Sequence, residues 1–329
     1  MTPRILLTGK NGQVGSELAR LLPRLGDVSA LDRTELDLAR PDEIRRVVRE
    51  VRPNIIVNAA AYTAVDQAEK EEEMARAVNA DAPGIIAEEA RKLGTFLVHY
   101  STDYVFDGEK RSAYTEDDPT NPLSAYGRTK LGGEEAVRAS GVQHLIVRTA
   151  WVYATSGKNF LLTILRLASS REELRIVNDQ FGAPTSASAI AAATVRLIES
   201  AVAPATSDPV AVLARKAGTY HLSAAGQTTW YEFAVAILDA ARRAPGTKGA
   251  GGSPAWLEAA IAGAPIIAKC VIPITTAEYA TPARRPAYSV LSNARFANTF
   301  GFTLPDWRSQ LWKTVMGGSS GDSLDPGRG

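Results

Sequence analysis

Apolar residues in the first half of the chain come in short runs that alternate with stretches of helical spacing. Arg4-Ile5-Leu6-Leu7-Thr8 has the length of a buried strand, and residues 16–22 then set Leu18, Leu21 and Leu22 on one helical face. Residues 28–31 read as a second strand ending at Asp32. A helix opening at Pro41 carries Ile44, Val47, Val48 and Val51 on one side. Residues 54–61 form a strand that runs into small side chains. The pattern then predicts helices over about 69–79 and 83–93, a strand over 95–100, a helix beginning near Ser124 and a strand over 145–153. Strands alternating with helices up to residue 154 predict a parallel sheet with helices on both faces.

Beyond Ala154 the rhythm loosens. Helices are expected over 160–168, 188–200 and 228–243, with short strands at 174–178 and 218–222. Residues 244–254 are glycine-rich and read as a surface loop, and residues 317–329 as a disordered tail. The expected division is a nucleotide-binding domain over 1–154, to which segments near 185–200 and 218–224 return, and a smaller mixed α/β substrate domain over 155–316. No internal repeat is visible.

The turn between the first strand and first helix, Gly9-Lys10-Asn11-Gly12-Gln13-Val14-Gly15, adds chemistry to this pattern. A strand, a glycine-rich turn and a helix in that order open a Rossmann-like dinucleotide-binding fold. One glycine permits the turn, one lets backbone approach a pyrophosphate, and one lets the helix pack on the strand. Anions are favoured at the helix N-terminus by free N–H groups and the dipole. A plain loop is the alternative for any glycine triplet taken alone. Asp32, ending the second strand, is placed to meet adenosine ribose hydroxyls, or is simply a turn acid. Arg33 beside it suits a 2′-phosphate, so the residues leave NADPH and NADH both open. The small residues at 59–61 either admit a cofactor or pack a strand end.

Tyr126 and Lys130 stand four apart on one helical face. A free tyrosine titrates near pH 10. A lysine ammonium alongside is expected to lower that value and can also hold a ribose hydroxyl. Thr102, in a hydroxyl-rich strand end, can donate to a carbonyl oxygen. Hydride donor, proton donor and orienting donor suffice for carbonyl reduction. The pair taken alone would be an ordinary exposed helix pair; what sets it apart is its place after the glycine turn and the threonine.

These residues, in this order, resemble the extended short-chain dehydrogenase/reductases and, more narrowly, the dTDP-4-dehydrorhamnose reductases. The resemblance runs over about 4–316. It is carried by the glycine turn, VNAAAYTAVD at 57–66, HYSTDYVFDG at 99–108, YGRTKL at 126–131, RTAWVY at 148–153, NDQFGAPT at 178–185 and Arg285-Pro286. It implies reduction of the 4-keto group of dTDP-4-dehydro-β-L-rhamnose by NADPH or NADH. It implies that Gly9, Gly12, Gln13 and Val14 hold the pyrophosphate, that Asp32, Asp37 and Leu38 surround the adenosine, and that Ala61, Tyr62 and Thr63 line the cofactor. Thr102 and Asp103 would meet the sugar, Tyr126 would donate the proton with Lys130 in support, and Trp151 would contact the substrate on its nucleotide side. Tyr62 stands where the family usually has His. Family members are described as magnesium-dependent, but Glu17 alone matches an expected acid, so no metal ligand is assigned. A sugar-nucleotide epimerase or dehydratase of the same fold, and a non-catalytic NADP-binding regulatory subunit, are the alternative functions.

Composition narrows the class. The 37 Lys and Arg balance 36 Asp and Glu, which argues against a nucleic-acid partner. A lone cysteine, Cys270, excludes an intrachain disulfide and fits a cytoplasmic protein. The apolar stretch 255–274 is broken by Glu258, Pro265 and Lys269, so no membrane span is expected. A nucleotide sugar is the expected partner, and the sequence leaves a homodimer open.

Overall fold

The computed structural model describes residues 2–202, 208–244 and 254–316. The glycine-rich loop and the tail predicted above lie largely or wholly outside these residues. The chain opens with β1 (Arg4–Thr8), α1 (Gln13–Leu21), β2 (Asp27–Leu31), α2 (Pro41–Val51) and β3 (Ile55–Asn58). Two short helices follow, α3 (Val65–Ala68) and α4 (Glu72–Arg76), then α5 (Ala82–Leu93), β4 (Phe96–Thr102), α6 (Ala125–Ser140) and β5 (His144–Thr149). The one helix expected over 69–79 is therefore not formed as such. α4 runs through a π-helical turn, Ala77–Asp81, straight into α5. Pro83 does not separate the two, because it follows directly on the π-helical turn, where Ala82 N–H bonds back five residues to Ala77 O and the ordinary i−4 ladder is already interrupted.

The strand expected over 145–153 is also broken. β5 stops at Thr149, and Trp151 takes φ 47°, left-handed backbone that a strand cannot contain. The chain resumes as β6 (Val152–Tyr153), α7 (Phe160–Ala168), β7 (Glu173–Val177), β8 (Phe181–Gly182), β9 (Thr185–Ser186), α8 (Ala187–Val202) and α9 (Pro209–Ala214). It ends with β10 (Gly218–His221), β11 (Thr228–Thr229), α10 (Trp230–Arg243), α11 (Ala255–Ala260), β12 (Cys270–Ile274), α12 (Ala294–Phe300) and α13 (Trp307–Met316). Among the described residues no helix is long and apolar enough to cross a membrane.

Six strands form one sheet in the order β10-β5-β4-β3-β1-β2, every pairing parallel. Alternate side chains feed opposite cores, as the pleat requires. Ile5, Leu7, Val57, Val98 and Val147 pack with α1 and α8, while Leu6, Ile56, Leu97 and Ile146 pack with α2, α5 and α6. The winding direction reverses between β1 and β3, so their C-terminal ends flank the crevice where such sheets bind ligands. Away from the sheet, Tyr153, Leu161, Leu174, Phe233, Ile237, Trp307 and Leu311 build a separate core joined to the parallel pair β7–β12.

Candidate active site

At the switch point Gly9 has φ +75°, and a Cβ there would lie 2.8 Å from the Ala60 backbone. The β1 and β3 loops thus touch. A Cβ on Gly15 would fall 1.9 Å from the Gly9 carbonyl oxygen, which is why α1 can start so close to the strand. Gly12 is the exposed N-cap of α1, and no side chain caps that end. The amides of Gln13, Val14 and Gly15 precede the first helical bond, Ser16 N–H to Gly12 O at 2.9 Å, and are free to meet an anion. Gln13 Oε1 is buried without a partner. A cradle that a Cβ would fill, with free amides at the start of α1, fits a dinucleotide pyrophosphate; the orphaned Gln13 oxygen, an acceptor, suits a hydroxyl donor instead.

Across the sheet, β4 ends at Thr102, which caps the following turn by accepting from the Tyr104 amide at 3.2 Å. Its hydroxyl donates to Asp103 Oδ1 at 3.0 Å and lies within hydrogen-bond reach of the Tyr126 hydroxyl. Ser124 caps α6 and sets Tyr126 in the first turn, with the Tyr104 ring edge-on at 5.8 Å. Burial pushes the Tyr126 hydroxyl up to about 12, opposed by the Thr102 hydrogen bond. Lys130 is buried one turn along, and its ammonium donates to the Tyr100 carbonyl at 2.7 Å. Burial draws Lys130 down to about 8. The expected lowering of the tyrosine by this lysine is not seen: the ammonium is spent on a strand carbonyl, and burial of the phenol dominates. Asp103 is 2% exposed; burial pushes its carboxyl up to about 7, against hydrogen bonds from Ser289 and Thr102, and Oδ2 has no partner.

Beside Tyr104 opens a cleft of about 420 Å³, lined by Phe160, Ile176, Gln180, Trp230 and Tyr279, with Arg171, Arg175 and Arg285 among its walls. Trp230 donates to Gln180 Oε1 at 3.2 Å and stacks flat on Trp151, ring centroids 3.5 Å apart. The stack needs Gly182, since a Cβ there would meet the Trp151 ring at 2.3 Å. Aromatic faces, an amide and guanidinium groups suit a nucleoside diphosphate.

The family model for the RmlD substrate binding domain matches residues 3–317. The dTDP-4-dehydrorhamnose reductase of Burkholderia thailandensis is 48% identical over 93% of this chain and 95% of its own length. That of Escherichia coli is 44% identical over 92% and 94%. The chain belongs to the dTDP-4-dehydrorhamnose reductase family. Among solved structures of the family, the reductase of Clostridium acetobutylicum superposes with a TM-score of 0.80 at 35% identity, over 95% of this chain and 98% of that one. The Bacillus anthracis reductase, solved in complex with NADP, gives 0.79 at 33% identity, over 95% and 99%.

For a member of this reductase family, several cofactor-side residues sit in unexpected ways. Asp32 is tied into its own turn, accepting from Thr34 N at 2.8 Å and from Asn11 at 3.0 Å, with Lys10 at 3.8 Å; Arg33 is exposed. Asp37 accepts from the Ala39 amide at 3.0 Å, and Leu38 turns its side chain into the core. Ala61, Tyr62 and Thr63 do lie at the β3 end. Their loop is held by Asn79, which accepts from Tyr62 N at 2.8 Å and donates to Tyr62 O at 3.0 Å. The Tyr62 hydroxyl donates to Glu71 at 2.6 Å. Sequence reasoning missed Asn79, Gln180, Trp230 and Ser289. Asn79 lies within the π-helical turn, where the local pattern gives no sign of a distant loop partner. Among the described residues no group of three or more metal-ligating side chains comes together. Glu17, the single matched acid, pairs with Arg20 at 2.9 Å.

Proposed function

We infer that this protein reduces the 4-keto group of dTDP-4-dehydro-β-L-rhamnose to give dTDP-L-rhamnose, using NADPH or NADH. Bound in the glycine cradle, the dinucleotide supplies the hydride. The protein supplies the rest. Thr102 turns its hydroxyl from Asp103 toward the ketone oxygen and polarises it. Tyr126, protonated at neutral pH by its high pKa, delivers the proton as the alkoxide forms. Lys130 holds the ribose with the donors its ammonium has left beside the Tyr100 carbonyl. Asp103, largely able to keep a proton near pH 7, offers the sugar a donor or an acceptor at Oδ2. The nucleotide of the substrate fits the cleft between Trp230 and Arg285. The observation that carries this reading is the meeting of Thr102, Asp103 and Tyr126 beside that cleft, with Lys130 behind them.

The same proposal assigns 1–154 mainly to the cofactor and 155–316 mainly to the sugar nucleotide. It is supported by the separate core around Phe233 and Trp307. The cytoplasmic location expected of the protein is checked by fractionation, and the homodimer that the sequence leaves open by mass in solution. The deciding experiment follows NADPH oxidation with the dTDP keto sugar and its UDP counterpart. Turnover with conversion to dTDP-L-rhamnose is expected. Cofactor binding with no turnover of either sugar would instead favour the regulatory-subunit reading.

A further inference from the structure

Behind the proposed site, one carboxylate gathers donors from three elements. Glu134 is fully buried on α6, one turn beyond Lys130 and on the same face. Its Oε1 accepts from Ser101 on β4 at 2.6 Å and from Arg148 Nε on β5 at 2.9 Å. Its Oε2 accepts from Arg148 at 2.7 Å and from Arg138 at 3.1 Å. Ser101 and Arg148 are register partners, and the next pair up the strands is Thr102 with Thr149. The carboxylate therefore pins both strands directly below the threonine that would polarise the ketone.

The reading rests on the roles proposed for Lys130 and Thr102. We propose that Glu134 is a positioning residue for this reaction: from beneath the site it clamps the β4–β5 end that carries Thr102, and it sets a negative charge one turn along α6 from Lys130. Other groups facing Lys130 supply no such charge. His99, from β4, is buried, and burial holds it neutral well below the ordinary histidine range. Tyr126 is a neutral phenol at working pH. Tyr100 presents only its carbonyl. Arg148 is cationic and is taken up by Glu134; its guanidinium also lies over the Phe106 ring at 5.1 Å and reaches His221 on β10 at 3.5 Å. Glu134 stays ionised although burial opposes it, because the Arg148 and Ser101 hydrogen bonds outweigh that opposition. It is the charge that raises Lys130 against burial.

The sign of the test follows. Lys130 works as the ammonium, so activity falls as pH rises through its pKa near 8. Removing the negative charge moves that fall to lower pH. The experiment compares wild type, Glu134→Asp and Glu134→Gln, which removes the negative charge and leaves Arg148 in place, measuring kcat/KM and NADPH affinity from pH 6 to 10. The alkaline limb of both quantities should move to lower pH in Glu134→Gln and stay in place in Glu134→Asp. A Glu134→Gln variant that is folded and weaker by the same factor at every pH would overturn the charge role. NADPH affinity needs no sugar, so its limb reads this inference even if the keto sugar proves not to be the substrate. Should Glu134→Gln not fold, Ser101→Ala decides. It removes one bond to Glu134 and leaves the charge, so kcat should fall about threefold with the limb unmoved. An unchanged kcat, or a shifted limb, would overturn the clamp.

Discussion

In the six-stranded sheet, neighbouring residues of one strand serve opposite faces: Leu6 joins α2 and α5 while Ile5 and Leu7 join α1 and α8. In the region beyond Ala154 the structure is held by pairs far apart in the chain. Trp230 bonds Gln180, Thr229 bonds Asn178 at 2.7 Å, Asn293 bonds the Ser223 amide at 2.9 Å, and Arg285 reaches back to Asp66. The first region is specified by local periodicity, the second by encounters that the order of residues does not announce. The site lies where the two meet. In the reading proposed above, chemistry comes from the sheet side, in Thr102, Tyr126 and Lys130, and recognition of the substrate nucleotide from the other side. Substitutions on the two sides should therefore fail in different ways.

The largest expected effect is on the chemical step. Tyr126→Phe keeps the ring packed against Tyr104 but removes the proton donor. It should lower kcat by about 10²–10⁴-fold and leave NADPH affinity unchanged by calorimetry. A variant with wild-type kcat would show that the proton comes from elsewhere, with Asp103 the next group to test. Second comes Gly12→Val. Gly12 is exposed and its Cβ direction meets only the Gly9 carbonyl, at 3.2 Å. The fold should persist, while the branched side chain occupies the pyrophosphate position. NADPH binding should weaken about a hundredfold, about 2.7 kcal/mol. Unaltered affinity would contradict the cradle.

Trp230→Ala tests the other side. It removes the stack on Trp151 and the bond to Gln180, so KM for the sugar nucleotide should rise about tenfold, about 1.4 kcal/mol. The dissociation constant for NADPH should not move. If both constants moved together, the division of labour between the two regions would be wrong.

The contrast also explains what the sequence made legible. Strand–helix alternation and the Gly9–Gly15 spacing were enough to place the sheet, the crevice and the N-terminus of α1, because a parallel sheet repeats one rule along each strand. That Tyr126 and Lys130 share one face of α6 was legible from their spacing, and that Thr102 ends β4 from the strand pattern. The electrostatics were not. That Lys130 would turn to the Tyr100 carbonyl, or that burial would dominate Tyr126, depends on β4 packing across α6. The break at Trp151 was hidden because an apolar run is broken here by a contact with Gly182, thirty-one positions on in a segment that reads as loop. Asn79, Gln180 and Trp230 carry no spacing signal, since each acts through a partner about 17 or 50 residues away.

The smallest expected effect belongs to the bridge between the regions. Arg285 lines the cleft and clasps Asp66, in the first turn of α3 just after the loop that carries Tyr62, through bonds of 3.1 and 2.8 Å; Asp66 also accepts from the Ala283 amide at 3.2 Å. The Asp66 side chain is 42% exposed, so solvent screens the pair and its worth is at most about 1 kcal/mol. Burial raises the Asp66 pKa, but Arg285 and the Ala283 amide outweigh it and hold the carboxyl below its ordinary value. A depressed carboxyl stabilises above its unfolded pKa and loses that contribution as pH falls through the folded one, so the bridge is intact at neutral pH and fails only in acid. Asp66→Asn should thus raise KM for the sugar nucleotide about threefold at pH 7, with kcat unchanged. Its effect should fade as pH falls through the lowered pKa of Asp66, where the wild-type carboxyl also takes up a proton; thermal unfolding followed from neutral pH into acid reads that convergence. If NADPH affinity also fell threefold at pH 7, the bridge would be transmitting cofactor-loop position into the cleft. If nothing moved, the two regions would be held together by packing alone.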